Sequence, residues 1–192
     1  LFLQLHPTNI KRHERHAMQR IEDLIQQHPD ASNAIGAPGR DWMTYGDLRG
    51  LTKNVRDALR AAGIGATDRV AIVLPNGPEM ATAFVTVAQS ATTAPLNPAY
   101  KEDEFAFYLE DLKARAIIVE AGYNGPARAV ADRFDMTVIE LTATQPAGNF
   151  TLSTDVKCRA SDTESTPDNV ALILHTSGTT SRPKIVPLLQ SN

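Results

Sequence analysis

The sequence predicts an α/β fold: a mostly parallel sheet flanked by helices. Three observations carry this. Between residues 69 and 141, strand-length apolar runs alternate with helical stretches of about 10–15 residues, the mark of βαβ units. The run Val70-Ala71-Ile72-Val73-Leu74 is apolar at every position, as a strand covered on both faces must be. Asn, Gly and Pro punctuate the boundaries, as in Pro75-Asn76-Gly77-Pro78 and Asn97-Pro98.

Residues 1–9 carry no periodic signal. Ile10, Ala17, Met18, Ile21, Leu24 and Ile25 follow a loose helical spacing that ends before His28-Pro29. Strand-like pieces at Asn33–Ala37 and Asp41–Met43 flank Pro38-Gly39, which predicts a hairpin. Thr44 with Asp47 reads as a capping box with Asp in place of Glu. The helix it opens runs to about Ala62, with Leu48, Leu51, Val55, Ala58, Leu59 and Ala62 on one face, and Gly63 stops it.

The alternation then begins. Arg69–Leu74 is a strand, Glu79–Ser90 an Ala-rich helix, and Thr92–Leu96 a short strand. Lys101–Leu112 is a helix, with Glu102, Asp103 and Glu104 in its first turn, where they complement the helix dipole. Arg115–Val119 is a strand, Pro126–Phe134 a helix, and Met136–Leu141 a strand. Residues 142–168, rich in Thr, Ser, Pro and Asp, read as a long surface connection with one strand near Phe150–Leu152. Val170–Leu174 is an apolar strand that delivers the stretch after it, and Ser191-Asn192 resembles the cap of a further helix.

Composition narrows the function classes. The 192 residues are 42% hydrophobic and 21% charged, as in a soluble globular protein. A formal net charge of −3 without a basic block argues against nucleic acid as a partner. No apolar run approaches the ~18–20 residues of a membrane helix. The single Cys158 rules out an internal disulfide and a Cys-rich zinc site, and fits a reducing compartment.

The chemistry concentrates in one stretch: Thr176, Ser177, Gly178, Thr179, Thr180, Ser181, Arg182, Pro183 and Lys184. It follows the apolar strand directly. A polyphosphate needs backbone N–H donors at close approach, hydroxyls and a mobile cation. Gly178 removes the Cβ that would block approach. The hydroxyls can donate to phosphoryl oxygens or stand near a metal. Lys184 is a compact charge on a long stem, suited to a β- or γ-phosphate. Read alone, the stretch is equally a Ser/Thr-rich surface turn. It is not a Walker A loop: no second glycine precedes Lys184, and Ile185 follows it. That argues against a P-loop nucleotidase.

The stretch 176–184 resembles the phosphate loop T-S-G-T-T-G-x-P-K of the adenylate-forming superfamily: acyl-CoA synthetases, luciferases and nonribosomal-peptide adenylation domains. Upstream, Thr44-Tyr45-Gly46-Asp47-Leu48 resembles the family's T-Y-x-E-L at the start of an early helix. Asp68–Asn76 resembles D-R-V-A-I-x-x-P-N, and Pro95-Leu96-Asn97-Pro98 the loop after the next strand. The resemblance spans about residues 30–192. Its text at His175–Pro187 and Thr92–Tyr100 is most like the oxalate–CoA ligase branch. Two positions depart: Ser181 stands where most members have Gly, and Ile185 replaces the common Gly after the lysine.

The resemblance implies a parent enzyme that activates a carboxylic acid with ATP to an acyl-adenylate and transfers it to coenzyme A. It implies that Thr176 to Lys184 hold the β- and γ-phosphates, that the Thr176 hydroxyl stands near Mg²⁺, and that Lys184 follows the leaving pyrophosphate. None of these is a general base or nucleophile. It also implies an incomplete chain: residues 1–29 an N-terminal segment with a helix, 30–192 the N-terminal portion of the AMP-binding domain, the C-terminal lid absent. Such a fragment is expected to be inactive alone, and to self-associate or be partly disordered at the N terminus and over 142–168. The cytoplasm is the expected compartment, with the peroxisome as the alternative. A stand-alone phosphate- or nucleotide-binding module is the rival reading.

Smaller features read more simply. His13 and His16 could meet one metal, but a solvated helix face is the simpler reading. Cys158, with no base beside it, reads as an inert thiol. Lys101–Glu104 reads as a helix start and Asn76-Gly77-Pro78 as a turn. Trp42 and Tyr45 read as packing the hairpin. His175 either faces a nucleotide or packs beside the strand end, with equal claim.

Overall fold

The structure, a computed structural model, describes residues 20–156, 164–176 and 183–192. His13, His16, Cys158 and the first part of the predicted N-terminal helix lie outside them, as do Ser177 to Arg182. The helix is described as α1 (Ile21–Gln26). The predicted hairpin follows as β1 (Asn33–Ala37) and β2 (Arg40–Thr44), a separate two-stranded sheet. Trp42 lies over Gly36, where any Cβ would stand 2.6 Å from its indole, so Trp42 does pack the hairpin. Tyr45 stacks instead on His28, ring centroids 4.1 Å apart.

Helix α2 (Tyr45–Ala61) begins at Thr44 as predicted. The Thr44 hydroxyl accepts from Asp47 N at 3.1 Å, and the Asp47 carboxylate accepts from Thr44 N at 3.0 Å. The helix ends in a Schellman motif: Gly63 N donates to Arg60 O and Ile64 N to Leu59 O, both at 2.9 Å. Gly63 takes φ +75°, open to glycine at little cost.

The main sheet is built from β3 (Arg69–Val73), β4 (Thr92–Pro95), β5 (Ala116–Glu120), β6 (Thr137–Thr144), β7 (Asn149–Ser153), β8 (Val170–Thr176) and β9 (Lys184–Leu189). Its order is β7-β6-β5-β3-β4-β8-β9. The five inner strands are parallel, and the two edges, β7 and β9, are antiparallel to their neighbours. The crossovers are α3 (Pro78–Ala88), α4 (Glu102–Leu112) and α5 (Pro126–Arg133).

Strand alternation sorts the core into two layers. Val70, Ile72, Ala116 and Ile118 face α2 and α3, meeting Leu51, Val55, Leu59, Ala83 and Val87. Ala71, Val73, Ile117 and Val119 face α4 and α5, meeting Phe105, Leu109, Leu112, Val130 and Ala131. This is the predicted parallel sheet covered on both sides.

One expectation is corrected. Residues 142–153 are not a surface connection. β6 runs on to Thr144, and the strand expected near Phe150–Leu152 is β7, which returns antiparallel with Phe150 buried opposite Ala143. The Thr content that suggested a loop is also good β content, and Gln145–Gly148 supplies the turn. β9 (Lys184–Leu189) was not announced by the sequence, because Pro187 interrupts its apolar run. An edge strand tolerates that proline. Asn192 Oδ1 accepts from Leu189 N at 2.6 Å and closes a turn after β9.

Candidate functional site

The hydroxyl-rich stretch lies at the carboxyl end of a parallel strand, the edge where open α/β sheets bind ligands. β8 carries Thr176 to that edge and β9 starts back from Lys184, the two being Cα partners in the ladder. Ser177, Gly178, Thr179, Thr180, Ser181 and Arg182, which join them, lie outside the described residues. Directly opposite residues of an antiparallel pair share a face. The Thr176 hydroxyl and Lys184 ammonium therefore start from one side of the sheet. Both residues are exposed, and no described residue pairs with the Lys184 ammonium. Pro183 is half-buried beside it.

β8 is held to the sheet in an unusual way. Its ladder to β4 shows the single partner pair Thr93–Leu172. Two hydroxyls reinforce it: Thr92 Oγ1 donates to Val170 O and Thr93 Oγ1 to Ala171 O, both at 2.8 Å. Both threonines are buried. Sequence reasoning gave them no role beyond a short strand. Two hydroxyls in an otherwise apolar sheet interior were the available signal, since a buried hydroxyl needs a partner.

His175 turns away from Thr176, onto the face shared with Ile173. Its side chain is 7% exposed, and Nε2 lies 3.1 Å from Asp111 Oδ2 on α4. A carboxylate only accepts, so the ring donates Nε2–H. The imidazole also stands edge-on to Tyr108, centroids 4.7 Å apart. Of the two readings for His175, this geometry supports packing beside the strand end. Tyr108 stacks on Tyr100 at 4.8 Å, and Tyr100 meets the fully buried Phe105 edge-on at 5.8 Å. The Tyr100 hydroxyl is pushed up to about 12, first by its hydrogen bond with Tyr108, then by burial and the neighbouring Tyr108 and Glu104 charges.

The remaining features fall where the simpler reading put them. Lys101 N donates to Glu104 Oε2 at 2.9 Å at the start of α4. Gly77 precedes Pro78, the first residue of α3. Among the described residues no cluster of three His, Cys, Asp or Glu could hold a metal, and no helix is long and apolar enough to cross a membrane. Leu174, Ile185, Val186, Leu188 and Leu189 are exposed together on β8 and β9.

Comparison with known proteins places this geometry in a family. The family model described as AMP-binding enzyme matches residues 21–192. The oxalate–CoA ligase of Arabidopsis thaliana is 35% identical over 178 residues, covering 90% of this chain and 34% of the ligase. That of Saccharomyces cerevisiae is 40% identical over 158 residues, covering 65% of this chain and 28% of its own length. The long-chain-fatty-acid–CoA ligase FadD13 of Mycobacterium tuberculosis is 31% identical over 176 residues, covering 87% and 34%. This chain thus spans about a third of the length of these relatives. Among solved structures, apo MatB from Rhodopseudomonas palustris superposes with a TM-score of 0.71 at 24% identity, covering 89% of this chain and 34% of that one. An anthranilate CoA ligase, AuaEII, in complex with anthranoyl-AMP, gives 0.69 at 17% identity, covering 90% and 34%. Those two likenesses establish the shared fold, and the family match with the identities above goes further: the chain belongs to the AMP-binding enzyme family.

Proposed function

We propose that this chain supplies the phosphate-holding part of an ATP-dependent acid–thiol ligase. In that reaction a carboxylate oxygen attacks the α-phosphorus of ATP, the bond to pyrophosphate breaks, and an acyl-adenylate forms. The thiol of coenzyme A then attacks the acyl carbon and AMP leaves. The protein's contribution at this site is positioning and charge stabilisation. Thr176, Ser177, Gly178, Thr179, Thr180, Ser181, Arg182, Pro183 and Lys184 hold the β- and γ-phosphates, and Lys184 neutralises the pyrophosphate as it departs.

The observation that carries the reading is the pairing of Thr176 with Lys184 at the carboxyl edge of the parallel sheet. It sets a hydroxyl on one face with an ammonium that no described residue pairs with, at the two ends of the hydroxyl-rich stretch. Mg²⁺ fits the same place. It takes one or two protein oxygens and completes its shell with phosphate and water, and the exposed Thr176 hydroxyl is such an oxygen. When bound, the ion would neutralise phosphate charge.

Oxalate is the acid we propose first, because two oxalate–CoA ligases are among the relatives. The test is pyrophosphate exchange into ATP by the whole ligase that contains this chain, with oxalate, a long-chain fatty acid or an aromatic acid added in turn. Exchange that requires an acid supports the reading, and oxalate dependence supports the substrate. Exchange independent of every acid contradicts both. We also infer self-association through β9, whose apolar row is exposed on an open strand edge.

A further inference from the structure

His175, the residue before the phosphate-binding stretch, is tied to α4 twice over. Its Nε2 lies 3.1 Å from the Asp111 carboxylate, and its ring stands edge-on to Tyr108. Tyr108 continues through Tyr100 to Phe105, which is fully buried. A line of rings therefore runs from the core to the carboxyl end of β8. The tie also matters because the ladder between β8 and β4 is short. Near its carboxyl end, β8 is otherwise held by β9, an exposed edge strand.

We propose that Asp111 and Tyr108 are positioning residues that act through His175. They fix the direction in which β8 delivers Thr176, and so keep Thr176 and Lys184 in register on one face for a polyphosphate. The proposal rests on the reading of 176–184 as the phosphate-binding segment. Strand alternation makes the arrangement economical: His175 anchors on the α4 side while Thr176, one residue on, faces the other way. Without the anchor, the strand end can rotate and the two functional side chains lose their fixed starting points. Neither Asp111 nor Tyr108 touches the ligand in this account.

The probe is inorganic pyrophosphate, titrated into the 192-residue chain by calorimetry with the thermal midpoint measured alongside. Asp111→Ala and His175→Ala should each weaken binding by about three- to tenfold. The double variant should be no weaker than the weaker single, as residues sharing one contact are non-additive. Asp111→Asn keeps an oxygen acceptor for the ring and should restore most of the affinity. The thermal midpoint should not follow this order, because Asp111 is partly exposed. Lys184→Ala separates this proposal from the reading beneath it. If Lys184→Ala loses affinity while Asp111→Ala and His175→Ala bind like the parent, the tether is overturned and the phosphate reading stands. If Asp111→Asn is as weak as Asp111→Ala and both midpoints fall with affinity, the contact is structural only and the proposal is overturned. If Lys184→Ala binds like the parent, or the parent does not bind pyrophosphate, both fall together.

Discussion

Thr176 and Lys184 are partners at the final step of the β8–β9 ladder, so a hydroxyl and an ammonium face one way across the two ends of the hydroxyl-rich stretch.

Thr93→Val should loosen β8. The substitution removes the donor to Ala171 O at 2.8 Å while keeping the shape of the side chain. A buried carbonyl that loses its partner costs about 1–3 kcal/mol. Hydrogen exchange should speed up at the β8 amides more than at those of β5. Uniform acceleration across the sheet would show that the hydroxyl has no local role.

Gly148→Ala should destabilise the β6–β7 hairpin. Gly148 has φ +81°, and an added Cβ would stand 2.9 Å from Thr82 Cγ2 and 3.2 Å from Pro78 O. Its carbonyl also accepts from Thr82 Oγ1 at 2.6 Å, so the turn cannot simply move outward. The expected loss is about 1–3 kcal/mol in urea unfolding. A neutral result would mean that the hairpin relaxes away from α3.

Asp47 gives a pH dependence with a definite sign. The Thr44 backbone N–H, then its hydroxyl, holds the Asp47 carboxyl below the usual carboxylate range. A depressed folded-state pKa gives stability that is complete above the unfolded value, about 3.9, and lost as pH falls through the folded value. Asp47→Asn should therefore lower the urea midpoint near neutrality and flatten its fall as the pH drops below about 4. Thr44→Ala should cost about 1 kcal/mol at neutral pH. Parallel acid limbs for parent and Asp47→Asn would contradict this assignment.

Val186→Lys should reduce self-association. β9 exposes Ile185, Val186, Leu188 and Leu189 on an edge strand, and a lysine there is the usual guard against edge pairing. Sedimentation should show concentration-dependent association for the parent and less for the variant. A parent that sediments as a monomer at all concentrations would contradict the inferred contact.

Most of the scaffold was legible because its signals are local. Thr44 and Asp47 announce their capping box, Gly63 its Schellman turn, and Val70–Leu74 a strand buried on both faces. What escaped depends on partners distant in sequence. β6 runs on past Leu141 because β7 pairs with it, and β9 survives Pro187 because no described strand pairs with its outer edge. The hydroxyl-rich stretch could be read from its residue types. That Thr176 and Lys184 would meet across a ladder could not, since the register is set by β8 and β9 together. Asp111 was still less visible: it sits 64 residues from His175, and only the fold brings them to 3.1 Å.

The most direct measurement is an equilibrium titration of ATP with Mg²⁺ into the parent chain and into Lys184→Ala. Losing one charge-assisted contact to phosphate costs about 1.5–3 kcal/mol. The account predicts that the variant binds about tenfold more weakly or worse, with an unchanged thermal midpoint without ligand. Equal affinity for the two proteins would contradict the claim that the segment from Thr176 to Lys184 holds the phosphates of ATP.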